Sequence, residues 1–155
     1  MDSSDLKILR ELVSNSRLSY REIARRVGLS VGTVIGRIKN LEEKGVIKGY
    51  SAIVDAEKLG YDVVAVIEII ITEGKLAEVE GILAKNPKVY GVYDVTGASD
   101  AIVIARFRDR KELSTFVKSI LRMKYVQRTI THVVLGTMKE DFRVPIPVPR
   151  SQSSS

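Results

Sequence analysis

Basic side chains are concentrated between residues 19 and 48. This stretch of thirty residues carries seven basic and three acidic side chains, a net charge of +4. The basic residues are Arg21, Arg25, Arg26, Arg37, Lys39, Lys44 and Lys48. Guanidinium and ammonium groups bind the phosphates of a nucleic-acid backbone and displace its counterions. The pattern therefore indicates a nucleic-acid-binding surface, and the alternative is a helical subdomain whose charges are only solvated.

Two short helices separated by a glycine turn are predicted to position these charges. Ser19 and Glu22 have capping-box spacing, so a helix begins there, and Gly28 ends it. Ser30 caps the next helix, which ends at Gly45. The inward-facing residues of this second helix are Val34, Ile38 and Leu41. A preceding helix from about Ser4 to Ser14 completes a three-helix core, and the spacing predicts a helix-turn-helix.

The outward face of the second helix offers small and hydrogen-bonding groups, which suit the floor of a DNA major groove. The residues predicted on this face are Gly32, Thr33, Gly36, Arg37, Lys39 and Asn40. Gly36 is unusual there, because glycine in a helix costs about 1 kcal/mol relative to alanine.

Length and charge favour two small domains within the 155 residues. Residues 1–50 carry ten basic and six acidic side chains, and residues 51–155 carry fifteen and thirteen. The chain has no cysteine, which excludes disulfides and thiolate metal sites and favours an intracellular, cytoplasmic location. Its apolar runs are far shorter than the ~20 residues of a membrane helix.

The second half is predicted to fold as βαββαβ, so the fold class is α+β with a ferredoxin-like C-terminal domain. The predicted elements are strand 61–72, helix 75–85, strand 89–96, strand 101–107, helix 110–121 and strand 126–138. Such units close into a four-stranded antiparallel sheet with both helices on one face. Residues 46–54 are expected to be an extended segment that pairs with another strand, and residues 55–60 a helical turn. The predicted domains are therefore 1–45, a junction 46–60, 61–142, and an extended or disordered tail 143–155.

The predicted strands are apolar at consecutive positions, as in residues 63–67, 69–71 and 101–105. A sheet with one solvated face would alternate instead, so the second face needs a cover. Both helices are already used, and the sequence predicts a dimer packed sheet against sheet. Loose patterning in a two-layer fold is the alternative.

The loop 96–100 joins the two central strands and has two interpretations. Gly97 would let backbone amides approach a carboxylate, and Asp100 would neutralise an ammonium group, which together suit a zwitterion. The same residues also serve an ordinary turn between strands, and the residues alone favour that turn.

The segment GLSVGTVIGRIKNLEEKGVIKGYSAIVDAEKLGY, followed by VYDVTGASD in a βαββαβ domain, resembles the Lrp/AsnC family. These are the leucine-responsive, or feast/famine, transcriptional regulators of bacteria and archaea, and the resemblance covers about residues 2–142. It implies a homodimer formed by ligand-sensing domains, further assembly into tetramers or octamers, and a junction strand that pairs with its symmetry mate.

The resemblance also implies that the second helix of the helix-turn-helix enters the major groove of double-stranded DNA. Gly32, Thr33, Gly36, Arg37 and Asn40 would lie near base edges, and Arg21, Arg25 and Lys39 near phosphates. The predicted DNA-binding set is Ser19, Arg21, Arg25, Ser30, Gly32, Thr33, Gly36, Arg37, Lys39 and Asn40.

The resemblance makes the loop 96–100 part of an amino-acid effector site. The predicted ligand-binding set is Thr96, Gly97, Ala98, Ser99, Asp100, His132, Val133 and Val134. Ser99 stands where relatives often carry an aromatic residue, so the effector is not identified, and no cofactor is predicted. His132 is the one histidine of the chain. The alternative to effector binding is that it has a structural role on its strand.

The predicted function is sequence-specific transcriptional regulation, in which an amino acid modulates assembly and DNA affinity. The chain lacks a phosphate loop, a Gly-x-Ser-x-Gly motif and a histidine-carboxylate cluster, so no enzyme activity is predicted. One alternative is an architectural DNA-binding protein with little sequence preference. Another is a sirohaem-decarboxylase-like enzyme, in which His132, Arg106, Arg108 and Arg128 would bind the propionates of a tetrapyrrole.

Overall fold

The computed structural model describes residues 1–72 and 74–148. Its helices are α1 (Ser3–Ser14), α2 (Tyr20–Val27), α3 (Val31–Glu43), α4 (Leu76–Leu83) and α5 (Arg110–Leu121). Its strands are β1 (Val63–Ile71), β2 (Val89–Asp94), β3 (Ala101–Phe107) and β4 (Val126–Val133). The described chain divides into a helical unit, residues 1–53 with 140–148, and a sheet unit, residues 54–139.

The helical unit is built from three capped helices. The Ser19 hydroxyl accepts the Glu22 N–H at 3.2 Å to start α2, and Gly28 ends α2 with φ 71°. The Ser30 hydroxyl accepts the Thr33 N–H at 3.1 Å to start α3. The buried core residues are Ile8, Ile23, Ala24, Val34 and Ile38. The predicted helix-turn-helix with a preceding helix is confirmed.

Two capping details differ from the sequence prediction. The full capping box lies at Asp2 and Asp5, whose carboxylates each accept the other's backbone N–H at 2.9 Å. Glu22 does not complete the box predicted at Ser19, because its carboxylate is bound by the side chains of Arg25 and Arg26.

Residues 140–148 return to the helical unit, whereas the sequence predicted one domain over residues 61–142. The Arg10 Nη2 donates to the Pro147 carbonyl at 3.0 Å, and Ile146 is half-buried. The described part of the predicted tail, residues 143–148, is neither helix nor strand, and residues 149–155 lie outside the described residues.

The sheet unit has the predicted βαββαβ order and an antiparallel four-stranded sheet ordered β2-β3-β1-β4. Helices α4 and α5 both pack on one face of it. The core of this layer contains Ala65, Ile67, Ile69, Val79, Leu83, Ala101, Val103, Ala105, Phe107, Leu113, Phe116 and Ile120. A short 3-10 helix, Glu57–Leu59, forms the predicted turn before the sheet.

The last strand is shorter than predicted, because it ends at Val133 instead of residue 138. Its antiparallel partner β1 begins at Val63, and the final bond runs from the Val134 N–H to the Val64 carbonyl at 2.9 Å. Beyond this point β1 offers no further backbone partner, so residues 134–138 leave the sheet.

The junction 46–54 forms no strand within the described chain. Ile47 packs against the helical core, but Ile53 is 82% exposed. The pairing predicted for this segment is therefore absent from the described residues of the single chain.

The two faces of the sheet differ in burial. On β1 and β3, fully buried residues alternate with half-buried ones, so the consecutive apolar residues do not all lie in the core. The half-buried positions on the face away from the helices are Val64, Val66, Glu68, Ile70, Ile102, Ile104 and Arg106. This second face is mostly apolar and is only half covered by its own chain.

Candidate functional site

Helix α3 separates a buried face from an exposed one. Val34, Ile38 and Leu41 are at most 2% exposed and point into the helical unit. The exposed residues predicted to meet a partner are Gly32, Thr33, Gly36, Lys39 and Asn40. A Cβ atom at Gly32 or Gly36 would meet no atom within 4 Å. The outward face of α3 is thus open surface, as the sequence predicted.

Arg37 differs from its neighbours because it is half-buried against α1. Its Nη1 donates to Asp2 Oδ2 at 2.7 Å and to Asp5 Oδ1 at 2.8 Å. The backbone N–H of Asp5, together with the Arg37 guanidinium, holds the pKa of Asp2 below its usual value. The pKa of Arg37 is raised by the same hydrogen bonds, first from Asp5 and then from Asp2. Arg37 therefore joins α3 to the start of α1 instead of projecting outward with Asn40.

A second ion-pair network covers the exposed face of α2. Glu22 accepts from Arg25 Nη2 at 2.6 Å and from Arg26 Nε at 2.8 Å, and Arg26 Nη1 also donates to Glu11 at 3.0 Å. These bonds, from Arg25 first and then Arg26, lower the pKa of Glu22 to about 2. The Arg25 side chain is still 73% exposed. Exposed ion pairs are weak, so the pair of Arg25 with Glu22 is easily exchanged, whereas Arg26 also joins α2 to α1 through Glu11.

The remaining predicted DNA-binding residues lie at the surface of α2 and α3. Arg21 is exposed, and Lys39 is 74% exposed with Nζ 3.8 Å from Glu43. The hydroxyls of Ser19 and Ser30 accept backbone N–H groups at the helix starts, so both serines have a capping role.

The sequence interpretation missed two apolar residues on the exposed side of α3. Val31 is 39% exposed and Ile35 is 44% exposed. They stand four residues apart, the spacing at which side chains share one helix face, and that spacing could have identified them.

The loop after β2 borders an open cavity of about 620 Å³ in the sheet unit. The cavity is lined by Glu68, Asp94, Val95, Thr96, Ala98, Ser99 and Ile102. Ser99 is buried and its hydroxyl donates to Glu68 at 2.5 Å, while His132 Nε2 lies 2.9 Å from the other Glu68 oxygen. These two hydrogen bonds, that from Ser99 first, lower the pKa of Glu68.

Some predicted ligand-binding residues do not face this cavity. Asp100 Oδ2 accepts the Ile71 N–H at 2.7 Å, so Asp100 fastens the loop to β1. Gly97 supplies the turn with φ 124°. His132, Val133 and Val134 are also absent from the lining, although His132 contacts the lining residue Glu68. The Val134 N–H donates to the Val64 carbonyl of β1. The acidic groups at the cavity are Glu68 and Asp94, which the sequence interpretation did not select.

Comparison with protein families matches both halves of the chain. Residues 1–48 match the model described as "Winged helix-turn-helix DNA-binding", and residues 64–144 match "Lrp/AsnC ligand binding domain". An uncharacterised HTH-type transcriptional regulator of Pyrococcus furiosus is 49% identical over 144 residues, which are 93% of this chain and 97% of the relative. The HTH-type transcriptional regulator Ptr1 of Methanocaldococcus jannaschii is 38% identical over 147 residues, covering 94% and 99% of the two chains.

Solved structures agree with these matches. A transcriptional regulator of Neisseria meningitidis, in complex with L-methionine, has a TM-score of 0.85 and 31% identity over 94% of this chain and 96% of its own. Escherichia coli AsnC has a TM-score of 0.85 and 28% identity over 95% and 99%.

The fold and the site define a transcriptional regulator that joins a helix-turn-helix unit to a ligand-binding domain, not an enzyme. The chain belongs to the Lrp/AsnC family of transcriptional regulators, as the sequence motifs predicted. None of the helices in the described parts of the chain has the length and apolar character that a bilayer crossing requires.

Proposed function

We propose that this regulator binds specific, pseudo-palindromic sites in double-stranded DNA with α3 in the major groove. The observation that supports this most directly is the exposed face of α3, which is open while the opposite face fills the core. The exposed cations of α2 and α3, Arg21, Arg25 and Lys39, would neutralise phosphates. A DNA-binding regulator of this kind would act in the cytoplasm.

The contacts are divided between bases and backbone. Gly32, Thr33, Gly36 and Asn40 would lie near base edges, while Ser19 and Ser30 cap the helices that approach the phosphate backbone. Arg37 is assigned a positioning role in place of base contact, because Asp2 and Asp5 hold its guanidinium. It would fix the angle between α3 and α1.

The active species would be a homodimer that assembles further into tetramers or octamers. The half-covered sheet face exposes Val66, Ile102 and Ile104 beside one another, and a second copy packed on it would remove this apolar patch from water. The unpaired junction 46–54 would meet its symmetry mate. Two copies of α3 would then present themselves to a two-fold site.

An amino-acid effector would bind at the cavity bordered by Thr96, Ala98 and Ser99. The related regulator solved with L-methionine supports a ligand of this class. Glu68 or Asp94, the carboxylates that line the cavity, would accept the ammonium group, because Asp100 is engaged with the Ile71 N–H. Effector binding would favour one assembly state and thereby change DNA affinity.

The test is fluorescence anisotropy of the full chain with genomic DNA fragments at several salt concentrations. Binding should weaken steeply, with a log-log slope close to the number of phosphate contacts. Lys39→Ala should weaken binding to all fragments alike and reduce the slope by about one. Salt-independent binding, or none to any fragment, would contradict the proposal.

Two further measurements test sequence specificity and effector binding separately. Equal affinity for every fragment at fixed salt would favour the architectural alternative over sequence-specific regulation. A panel of free amino acids, assayed by sedimentation velocity and anisotropy, tests the effector. If no amino acid changes either assembly or affinity, the effector part is wrong while the DNA-binding part stands.

A further inference from the structure

Helix α3 carries an apolar ridge on its exposed side. Val31 and Ile35 are 39% and 44% exposed, and Lys39 continues the same ridge one turn later. The core of the helical unit is already filled by Val34, Ile38 and Leu41 from the opposite face. Packing within the unit therefore does not explain why Val31 and Ile35 are apolar.

The neighbouring ridge of α3 is almost without side chains. It consists of Gly32, Gly36 and Asn40, and the space where a Cβ would stand at either glycine is empty. The side chains of Val31 and Ile35 consequently project beyond the neighbouring surface formed by the two glycines. A partner can approach the helix backbone closely there and contact both side chains.

The first half of the exposed face offers no cation to a guanine. Guanine is recognised in the major groove mostly by Arg or Lys bound to its O6 and N7. Arg37, which the sequence places closest to this region, is held by Asp2 and Asp5. The exposed residues there are Val31, Gly32, Thr33, Ile35 and Gly36.

Charge around the ridge indicates the partner. Lys39 lies on α3 one turn beyond Ile35, and Arg21 and Arg25 lie on α2, the helix that packs against α3; all three are exposed cations. A polyanion satisfies these cations, whereas an apolar surface on a second copy would not. Among base edges in the major groove, the one apolar group is the 5-methyl of thymine.

From these observations, and resting on the proposed DNA-binding function, we propose that Val31 and Ile35 recognise the methyl groups of thymines. The half-site of this regulator is then A·T-rich under the first two turns of α3. Asn40 on the neighbouring ridge would add contacts to adenine N6 and N7.

The experiment replaces single thymines by deoxyuridine. A site is first selected from a random duplex pool by the full chain, and each thymine of one half-site is then exchanged. Deoxyuridine keeps the base pair, the O4 acceptor and the phosphate, and removes only the methyl. At contacted positions the affinity should fall roughly fourfold, the equivalent of ~0.8 kcal/mol for one buried methyl-sized group.

Variants assign the methyl contacts to residues. In Val31→Ser and Ile35→Ser the deoxyuridine penalty should disappear at one or two positions each, because the apolar partner is already missing. Lys39→Ala is the matched control, since it should weaken thymine and deoxyuridine duplexes equally. Both target residues are exposed, and circular dichroism should show an unchanged helix content.

The inference and the proposed function fail in different ways. Suppose that a site is selected and that binding depends on salt. If no deoxyuridine substitution lowers the affinity, or if the loss of affinity persists in both variants, methyl recognition is wrong while DNA binding stands. A changed sedimentation coefficient of the free variants with unchanged DNA affinity would place the ridge in a protein contact and also overturn it. Failure to select any sequence would overturn the proposed function, and the inference with it.

Discussion

Gly36→Ala should make the protein more stable and a poorer DNA binder. Gly36 lies inside α3, where glycine costs about 1 kcal/mol relative to alanine because of the backbone entropy lost on folding. The added methyl would meet no atom within 4 Å, so no steric cost offsets the gain. The free energy of unfolding should rise by about 1 kcal/mol, which corresponds to roughly 2–4 °C in Tm for a chain of this size.

The assay is urea denaturation of the wild type and the variant, followed by anisotropy with a selected DNA site. Gly45→Ala is the matched control, because Gly45 has φ 66° and a side chain there is strained. It should lower stability by about 1–2 kcal/mol. DNA affinity of Gly36→Ala should fall, since the methyl separates the α3 backbone from the groove.

A destabilised Gly36→Ala variant would refute this reasoning. That result would mean that the face of α3 beyond Gly36 is packed against protein in the assembled molecule. The surface assigned to DNA would then be unavailable, and the proposed function would lose its main support.

Three further predictions concern pH and the core. The pKa of Glu22 is lowered from 4.5 to about 2, so its ion pairs should stabilise the fold fully above about pH 4.5 and progressively less down to about pH 2. The difference in Tm between the wild type and Glu22→Gln should therefore disappear as the pH falls through that window. Partial desolvation of the half-exposed ring, together with a hydrogen bond to Glu42, raises the pKa of Tyr50 to about 12. Ultraviolet titration of the wild type should therefore show an ionisation near pH 12 that Tyr50→Phe removes. Phe107 is fully buried, and Phe107→Ala should cost about 3–5 kcal/mol in urea denaturation, with an unchanged midpoint contradicting its place in the core.

The architecture was predictable because its signals are local and periodic. Serine caps at residues 19 and 30 and apolar spacings of three and four defined the helices, and turn residues separated the strands. The end of β4 was not predictable from its own residues. It depends on where β1 begins, and an apolar sequence continues past that point without a partner.

The candidate DNA interface was predictable only in part. The open face of α3 follows from the positions of its core residues. The pairing of Arg37 with Asp2 and Asp5 joins groups more than thirty residues apart along the chain, so no local pattern reports it. Helical periodicity places Arg37 between the exposed and the buried face of α3. Whether its side chain points to solvent or to α1 depends on the packing of α3 against α1.

The effector loop shows the same limit. Gly97 was predicted from turn chemistry and Ser99 from the family resemblance, but Glu68, one of the two carboxylates at the cavity, comes from another strand. The sequence contained one signal for it, since Glu68 interrupts an apolar run at a position that alternation places away from the helices. Asp100 was predicted to bind the effector because it lies in the same loop as Gly97. In the structure its carboxylate instead accepts the N–H of Ile71, which lies on β1.

The return of residues 140–148 to the helical unit affects how the protein is made. A ribosome releases residues 1–53 first, and these already contain all three helices of the core. Arg10 finds the Pro147 carbonyl only after the whole ligand-binding domain has been synthesised. The nascent chain therefore carries the three helices of this unit for most of the synthesis of residues 54–139, before residues 140–148 can pack on them.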